Sequence, residues 1–227
     1  MNHLAMFCKS SRPRFAKTRW GAEIGYELAA RASALFQATL ARRFRRFADI
    51  RTMVYTPAGQ RAEFEALAAG DWRLLPQTTG NLGQRLAAAA RELTRNGEFL
   101  VVIGTDSPNL PANYLHSAFL SLQSAEVVIG PSSDGGYYLI GMRTPTTAIF
   151  EGIPWSTPEV LAATTRQLRV SGISFTLLPE WYDVDDQSGW RRLIGGLGLP
   201  GSEIPTELVA EYEKIERAIA SKGDAHV

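Results

Sequence analysis

Carboxylates that directly follow apolar strands are the residues of this sequence best suited to chemistry. Asp106 comes after the apolar run 99–103, and Asp183, Asp185 and Asp186 come after a later strand-like segment. Open α/β sheets bind ligands beyond the carboxyl ends of their strands. Mg²⁺ is usually held by one or two carboxylates together with substrate phosphates and water. Two of these aspartates converging at one sheet edge would therefore suffice for a metal site.

Each of these aspartates also has an ordinary structural use. Asp106 could cap the helix that follows it, and one of the three later aspartates could cap the next helix. Asp134 precedes Gly135 and Gly136, and Asp-Gly is a common turn dipeptide, so a plain hairpin is the simpler interpretation there. Taken alone, the residues leave metal binding and helix capping evenly balanced for Asp106.

A basic loop after the first predicted strand could meet phosphate groups. Its cations are Lys9, Arg12, Arg14, Lys17 and Arg19. Lys17 and Arg19 lie just before a predicted helix, whose N-terminus would add partial positive charge. A solvated basic loop is the alternative, and charge alone favours it.

Two further segments could contact a ligand. Gly80-Asn81-Leu82-Gly83 precedes a predicted helix, and its small residues could let backbone amides approach a base or a phosphate. Trp155 could stack on a ligand ring, although a buried aromatic is the more frequent use of tryptophan.

Composition and motifs exclude several classes of protein. The sequence has no G-x-G-x-x-G after its first strand, no G-x-x-x-x-G-K-[ST] and no G-x-S-x-G, so the dinucleotide-binding, P-loop and hydrolase patterns are missing. Cys8 is the single cysteine, which excludes an intrachain disulfide framework. A net charge of +1 gives no indication of nucleic-acid binding.

Hydrophobic patterning predicts an α/β fold with a mixed, mainly parallel sheet flanked by helices. Strands are predicted at 4–8, 51–55, 72–75, 99–104, 127–130, 137–142 and 174–178. Helices are predicted at 22–47, 61–69, 82–96, 111–123, 156–170, 187–197 and 205–221. The helix at 156–170 is expected to start at a capping box formed by Ser156 and Glu159.

The glycine-rich stretch after residue 194 is the only linker-like segment. We therefore expect one domain over residues 1–200, followed by a helix and tail over 201–227 that packs on the domain or on a partner, as in a homodimer. No window approaches the roughly 18 consecutive apolar residues of a membrane span, and the N-terminus has no basic region before its apolar run. A cytoplasmic protein without a membrane span is the expectation.

Taken together, these segments resemble a known family. The matching stretches are Phe7-Cys8-Lys9, Lys17-Thr18-Arg19, Gly80-Asn81-Leu82-Gly83-Gln84-Arg85, Ile103-Gly104-Thr105-Asp106-Ser107-Pro108, Gly130-Pro131, the run 134–141, the run 153–157 and Asp183-Val184-Asp185. They cover most of residues 4–195. The chain resembles the bacterial nucleotide-diphospho-sugar transferase-like proteins of the GT-A superfamily, in the group long labelled a domain of unknown function and often named arsenosugar-biosynthesis glycosyltransferase.

This resemblance implies a single GT-A-like domain and metal-dependent glycosyl transfer from a nucleotide-diphospho-sugar to a small-molecule acceptor. Asp106 and Asp185 would hold Mg²⁺ or Mn²⁺, and with Lys17 they would form the catalytic set. The implied nucleotide and phosphate contacts are Lys9, Lys17, Arg19, Gly80, Asn81, Leu82, Gly83 and Thr105. The implied sugar or acceptor pocket comprises Asp134, Gly135, Gly136, Tyr137, Trp155 and Ser156.

Two other functions stay open at this point. A nucleotidyltransferase would join a nucleoside triphosphate to a phosphorylated small molecule and release pyrophosphate, with the same metal and basic groups. A non-catalytic nucleotide-binding protein would use the same cleft without turnover.

Overall fold

A seven-stranded sheet forms the centre of the protein. The computed structural model describes residues 1–94 and 96–223. The strands are β1 (Asn2–Lys9), β2 (Ile50–Thr56), β3 (Arg73–Pro76), β4 (Phe99–Ile103), β5 (Val127–Pro131), β6 (Tyr137–Met142) and β7 (Phe175–Leu177). The helices are α1 (Thr18–Ile24), α2 (Tyr26–Arg43), α3 (Arg61–Ala68), α4 (Leu82–Leu93), α5 (Ala112–Ser121), α6 (Val160–Val170), α7 (Gln187–Gly195) and α8 (Thr206–Gly223), with short 3₁₀ turns at Ala58–Gln60 and Thr147–Phe150.

The strand order is β3-β2-β1-β4-β6-β5-β7. The pairs β1–β2, β1–β4, β2–β3 and β5–β7 are parallel, whereas β6 runs antiparallel to both β4 and β5. The prediction of a mixed, mainly parallel sheet is confirmed. Because only β6 is reversed, the loops after β1, β4, β5 and β7 all leave the sheet at the same edge.

Both faces of the sheet are covered, as the apolar runs of β1 and β4 predict. Leu4 and Val101 point to one face, where they meet α2, α3 and α5, and Ala5 and Leu100 point to the other, where they meet α4 and α6. The alternation of strand side chains therefore fixes β1 and β4 at the centre, and their carboxyl ends are held in a rigid frame.

The tail helix α8 packs on α2 and α7. Tyr212 is fully buried among Phe36 and Trp190, with ring centroids 6.2 and 6.1 Å away, and its hydroxyl lies 2.7 Å from that of Thr39. Trp190 donates its ring N–H to Glu216, so α8 is tied to α7 by a hydrogen bond as well. The division of the chain at residue 200 stays a prediction.

Most predicted elements differ from the observed ones only by a few residues at their ends, but two predicted helices form differently. The helix predicted at 22–47 is two helices, α1 and α2, separated at Gly25, whose φ of 95° lies in the region that only glycine adopts freely. The predicted capping box at Ser156 does not form. Ser156 has a φ of 67°, and α6 begins four residues later at Val160. A residue with left-handed backbone cannot continue into a helix, so the chain turns once more before α6 starts.

The helices that the structure describes include none with the length and apolar character needed to cross a membrane.

Candidate active site

A cleft of about 890 Å³ opens at the edge where the parallel strands end. Its lining is Arg19, Glu23, Leu82, Asp106, Ser133, Asp134, Gly136, Tyr137, Trp155, Ser156, Thr157, Pro158, Val160, Tyr182, Asp183, Asp185, Asp186, Ser188, Gly189 and Arg192. Most of these residues lie in the loops after β4, β5 and β7, in the segment before α6 and on α7, whereas Arg19 and Glu23 belong to α1 and Leu82 begins α4. The cleft is therefore at the sheet edge that the strand pattern predicted for ligands.

Lys17, Asp106 and Asp185 come together beneath the cleft. The Lys17 ammonium donates to Asp106 Oδ1, to Asp185 Oδ1 at 2.7 Å and to the carbonyl of Val184 at 2.8 Å. The Lys17 side chain is only 3% exposed, whereas those of Asp106 and Asp185 are 46% and 43% exposed. The two carboxylates thus face the cleft, and the ammonium lies behind them.

Hydrogen bonds hold the two aspartate loops together independently of Lys17. The backbone N–H of Val184 donates to the carbonyl of Asp106 at 2.8 Å. The hydroxyl of Ser107 lies 2.9 Å from the carbonyl of Tyr182 and 2.7 Å from Asp183 Oδ1. The loop after β4 and the segment before α7 are therefore fixed relative to one another.

The charge of Lys17 is stabilised by its partners. Burial alone would lower the pKa of Lys17, but the charges of Asp106 and Asp185 and the hydrogen bonds to them raise it above the ordinary lysine value. The ammonium is thus fully protonated at neutral pH. The cation also lies over the ring of Phe36, 5.3 Å from its centroid.

Asp183 is a second kind of carboxylate in the same site. Its two oxygens accept from Ser107 Oγ at 2.7 Å and Ser132 Oγ at 2.8 Å. Burial and, after it, the nearby charge of Asp106 raise the pKa of Asp183 to about 6, although the hydrogen bonds from the two serines act in the opposite direction. Ionisation of Asp183 therefore costs the folded state free energy.

We expect Asp183→Asn to raise the melting temperature at pH 8 by about 3 °C or more and to have less effect at pH 5. Because the native pKa of about 6 exceeds the ordinary 3.8, the native state binds the proton more tightly than the unfolded state does. The stability contributed by Asp183 is thus fully present below pH 3.8 and is lost as the pH rises through 6. Because asparagine does not titrate, the variant lacks this dependence of stability on pH.

The measurement is thermal unfolding of both proteins across that pH range. Ser132→Ala is the companion variant, since it removes one donor to the carboxylate and should destabilise the protein at pH 8. An equal gain for Asp183→Asn at both pH values would contradict the assignment of a raised pKa.

One wall of the cleft joins the β5–β6 turn to the segment before α6. Asp134 accepts from the N–H of Gly136 at 2.9 Å, and Gly135 accepts from the N–H of Leu161 at 2.9 Å. A Cβ on Gly135 would lie 2.1 Å from the carbonyl oxygen of Pro158. Asp134 thus stabilises the turn that the Asp-Gly dipeptide predicted, and the same turn borders the cleft.

Trp155 links this wall to α4. Its ring lies 6.3 Å from that of Tyr137 in an edge-on arrangement. A Cβ on Gly83 would lie 2.6 Å from the Trp155 indole nitrogen, so glycine is required there for close packing. Gly83 consequently supports the wall of the cleft through Trp155.

Other predicted site residues do not belong to the lining of the cleft. Among the described residues, Lys9, Gly80, Asn81 and Thr105 lie outside its lining, although Leu82 and Arg19 belong to it. Asn81 caps α4 by accepting from Gln84 N at 3.0 Å, and the Gln84 side chain accepts from Asn81 N at 2.9 Å. This capping box accounts for the type and spacing of these residues without any ligand.

Sequence reasoning missed several lining residues, including Glu23, Tyr182, Ser188 and Arg192. The Arg192 guanidinium lies 3.8 Å from the centroid of the Tyr182 ring, so the pair forms part of the rim. The sequence did contain a feature that could have placed the residues of α7 at the site, namely a helix-capping aspartate. Asp186 caps that helix by accepting from Gly189 N at 2.8 Å, which places Ser188, Gly189 and Arg192 on its first turns beside the predicted aspartates.

The donor set suits a hard divalent cation of the Mg²⁺ or Mn²⁺ type. Asp106 and Asp185 present partly exposed carboxylate oxygens from loops that are fixed to each other. In residues 1–94 and 96–223 the structure shows no group of three or more His, Cys, Asp or Glu side chains placed to hold a metal. A cation here would thus complete its coordination with ligand phosphates and water, as Mg²⁺ commonly does.

The fold is that of nucleotide-diphospho-sugar transferases of the GT-A type. The structure is similar to that of a protein from Desulfovibrio desulfuricans G20 described as a "putative nucleotide-diphospho-sugar transferase", with a TM-score of 0.86 and 26% identity over 97% of this chain and 98% of the other.

Two more distant structures share the fold alone. One is Rv0371c of Mycobacterium tuberculosis in complex with manganese, with a TM-score of 0.56 and 12% identity over 87% of this chain and 100% of that one. The other is the 4-diphosphocytidyl-2C-methyl-D-erythritol synthase of Anaerococcus prevotii, with a TM-score of 0.56 and 9% identity over 82% of this chain and 92% of that one.

The chain belongs to the family described as "Uncharacterized protein conserved in bacteria (DUF2064)", whose model matches residues 23–157, more than half of the sequence. No curated protein matches it. The family match and the similarity to the Desulfovibrio structure confirm the resemblance that the sequence motifs indicated.

Proposed function

We propose that the protein is a metal-dependent glycosyltransferase that transfers a sugar from a nucleotide-diphospho-sugar to a small-molecule acceptor. The observation that carries the proposal is the pair Asp106 and Asp185, which face a cleft at the ligand-binding edge of a GT-A-type sheet. The likeness to the Desulfovibrio protein over nearly the whole chain supports the same class of donor.

In this proposal the carboxylates of Asp106 and Asp185 hold Mg²⁺ or Mn²⁺ against the donor's diphosphate. The bound ion would offset the negative charge of the leaving nucleoside diphosphate. Arg19, on the cleft rim, supplies a further cation for that group. Lys17 already donates to three protein oxygens, so in this proposal it does not contact the diphosphate directly. Its positive charge instead partly neutralises the carboxylates of Asp106 and Asp185.

The other side of the cleft is proposed to receive the sugar and the acceptor. Trp155 and Tyr137 offer apolar ring surface, which suits the carbon faces of a sugar, and Asp134 and Ser156 offer oxygens to its hydroxyl groups. Gly135 and Gly136 lie in the turn that borders this side of the cleft, and Gly135 lets that turn approach the carbonyl of Pro158 closely. The contacts of Lys9, Gly80, Asn81, Gly83 and Thr105 with the nucleotide stay predictions, as do the homodimer and the cytoplasmic location.

The test is a product assay with purified protein, Mg²⁺ or Mn²⁺, and separate panels of nucleotide sugars and nucleoside triphosphates. Release of nucleoside diphosphate from an activated sugar, dependent on the metal, is the expected result. Pyrophosphate release from a triphosphate would identify a nucleotidyltransferase instead. Binding of nucleotides by thermal shift without turnover across both panels would identify a non-catalytic nucleotide-binding protein.

A further inference from the structure

Resting on the function proposed above, we infer that Lys17 is a built-in counter-cation of the Asp106–Asp185 pair. It prevents the two carboxylates from holding a divalent metal unaided, so the metal enters the site together with the phosphates of the nucleotide. The proposal thus concerns what the cleft recognises, which is a metal–diphosphate complex rather than a free metal ion followed by a nucleotide.

The first step is the charge of the cluster. One oxygen of each carboxylate contacts the Lys17 ammonium, so the three side chains together carry a net charge of −1 instead of −2. A divalent cation in the cleft would be attracted by the two carboxylates and repelled by the ammonium behind them. The attraction that remains is weak for a partly exposed site, where solvent screens the charges.

The second step is that Lys17 cannot easily withdraw. Its side chain is 3% exposed, its ammonium also donates to the Val184 carbonyl at 2.8 Å, and the cation lies over the Phe36 ring. Moving it into the cleft would leave a buried carbonyl without its donor and would break the contact with the ring. The counter-charge is therefore a permanent part of the site.

The third step is that Lys17 supplies charge rather than position. The backbone bond from Val184 N to the Asp106 carbonyl and the contacts of Ser107 with Tyr182 and Asp183 fix the two loops without any contribution from Lys17. Removing the ammonium should consequently leave both carboxylates at the cleft with their full charge of −2. Such a pair is a better site for a free divalent ion.

The experiment compares the binding of MnCl₂, without any phosphate, by the full-length protein, Lys17→Met and Lys214→Met. We expect Lys17→Met to bind Mn²⁺ at least about tenfold more tightly than the unmodified protein by isothermal titration calorimetry. Lys214 is an exposed lysine of α8 paired with Glu211, so Lys214→Met removes the same charge at a distance and should leave Mn²⁺ affinity unchanged. A folded Lys17→Met, verified by circular dichroism, that binds Mn²⁺ no more tightly would overturn the inference.

A second measurement needs no variant. The melting temperature of the unmodified protein is recorded with MnCl₂ alone, with inorganic pyrophosphate alone and with both. The shift with both should exceed the sum of the separate shifts, because the phosphate oxygens complete the coordination and supply the missing negative charge. A strictly additive result would also refute the inference, even if Lys17→Met failed to fold.

Failure of the proposed function has a different signature. If no nucleotide sugar is turned over but Lys17→Met gains Mn²⁺ affinity, the role of Lys17 stands and the glycosyltransferase proposal falls. If donor turnover is metal-dependent but Lys17→Met shows no gain, the function stands and the counter-cation role falls.

Discussion

Asp106→Asn should lower metal-dependent donor turnover by at least about 100-fold while the protein keeps its fold. Asparagine has the shape of aspartate and can still accept a hydrogen bond from Lys17, so the packing beneath the cleft is preserved. It lacks the negative charge that a hard divalent cation requires from its few protein ligands. Asp185→Asn, at the other side of the same ammonium, should have an effect of similar size.

The measurement is release of nucleoside diphosphate, with circular dichroism and thermal unfolding as checks on structure. Asp71→Asn is the matched control, because Asp71 is an exposed aspartate in the turn before β3, outside the cleft lining. Its activity should equal that of the unmodified protein. Full activity in Asp106→Asn would exclude this carboxylate as a metal ligand and with it the proposed arrangement of the site.

Gly135→Ala is expected to destabilise the protein by about 2–4 kcal/mol and to impair donor or acceptor binding. Gly135 has a φ of 87°, which an alanine adopts only with strain. The added Cβ would also lie 2.1 Å from the carbonyl oxygen of Pro158, so the segment that carries Ser156 and Thr157 must move. The wall of the cleft would then shift with it. The readouts are denaturant unfolding and the KM of the donor reaction.

Gly70→Ala separates the two causes. Gly70 has a comparable φ of 80° but open space around the position of a Cβ. Its replacement should cost only the backbone strain, about 1–2 kcal/mol, and should leave KM unchanged. If the two alanine variants lose equal stability, the close approach of Pro158 to the turn contributes nothing to the fold.

The sequence predicted the fold and the site correctly where a residue pattern is compatible with only one structure. The apolar runs of β1 and β4 predicted central strands, and Asp106 at the end of β4 was correctly placed at the ligand-binding edge. The burial of Lys17 could not be predicted in this way. A lysine among other cations in a polar loop gives the same pattern whether it is solvated or enclosed by two carboxylates that follow it by 89 and 168 residues.

The aspartates before α7 show the same limit. Asp183, Asp185 and Asp186 are chemically identical in the sequence, yet the structure gives them three environments. Asp183 accepts from two serines, Asp185 contacts Lys17, and Asp186 caps α7. The tail helix is a comparable case, since its apolar spacing of 4, 3 and 4 residues defines a face but not the surface that covers it.

The contact between Lys17 and Asp185 has a consequence for how the protein matures. It joins residues 168 positions apart, so its formation requires nearly the whole chain. Contacts of such sequence separation are slow to form, because the entropy cost of closing a long loop comes before the favourable energy of the contact. During synthesis the lysine and the first aspartate emerge well before the second. We therefore expect ligand binding to be recovered late when the protein refolds after dilution from denaturant.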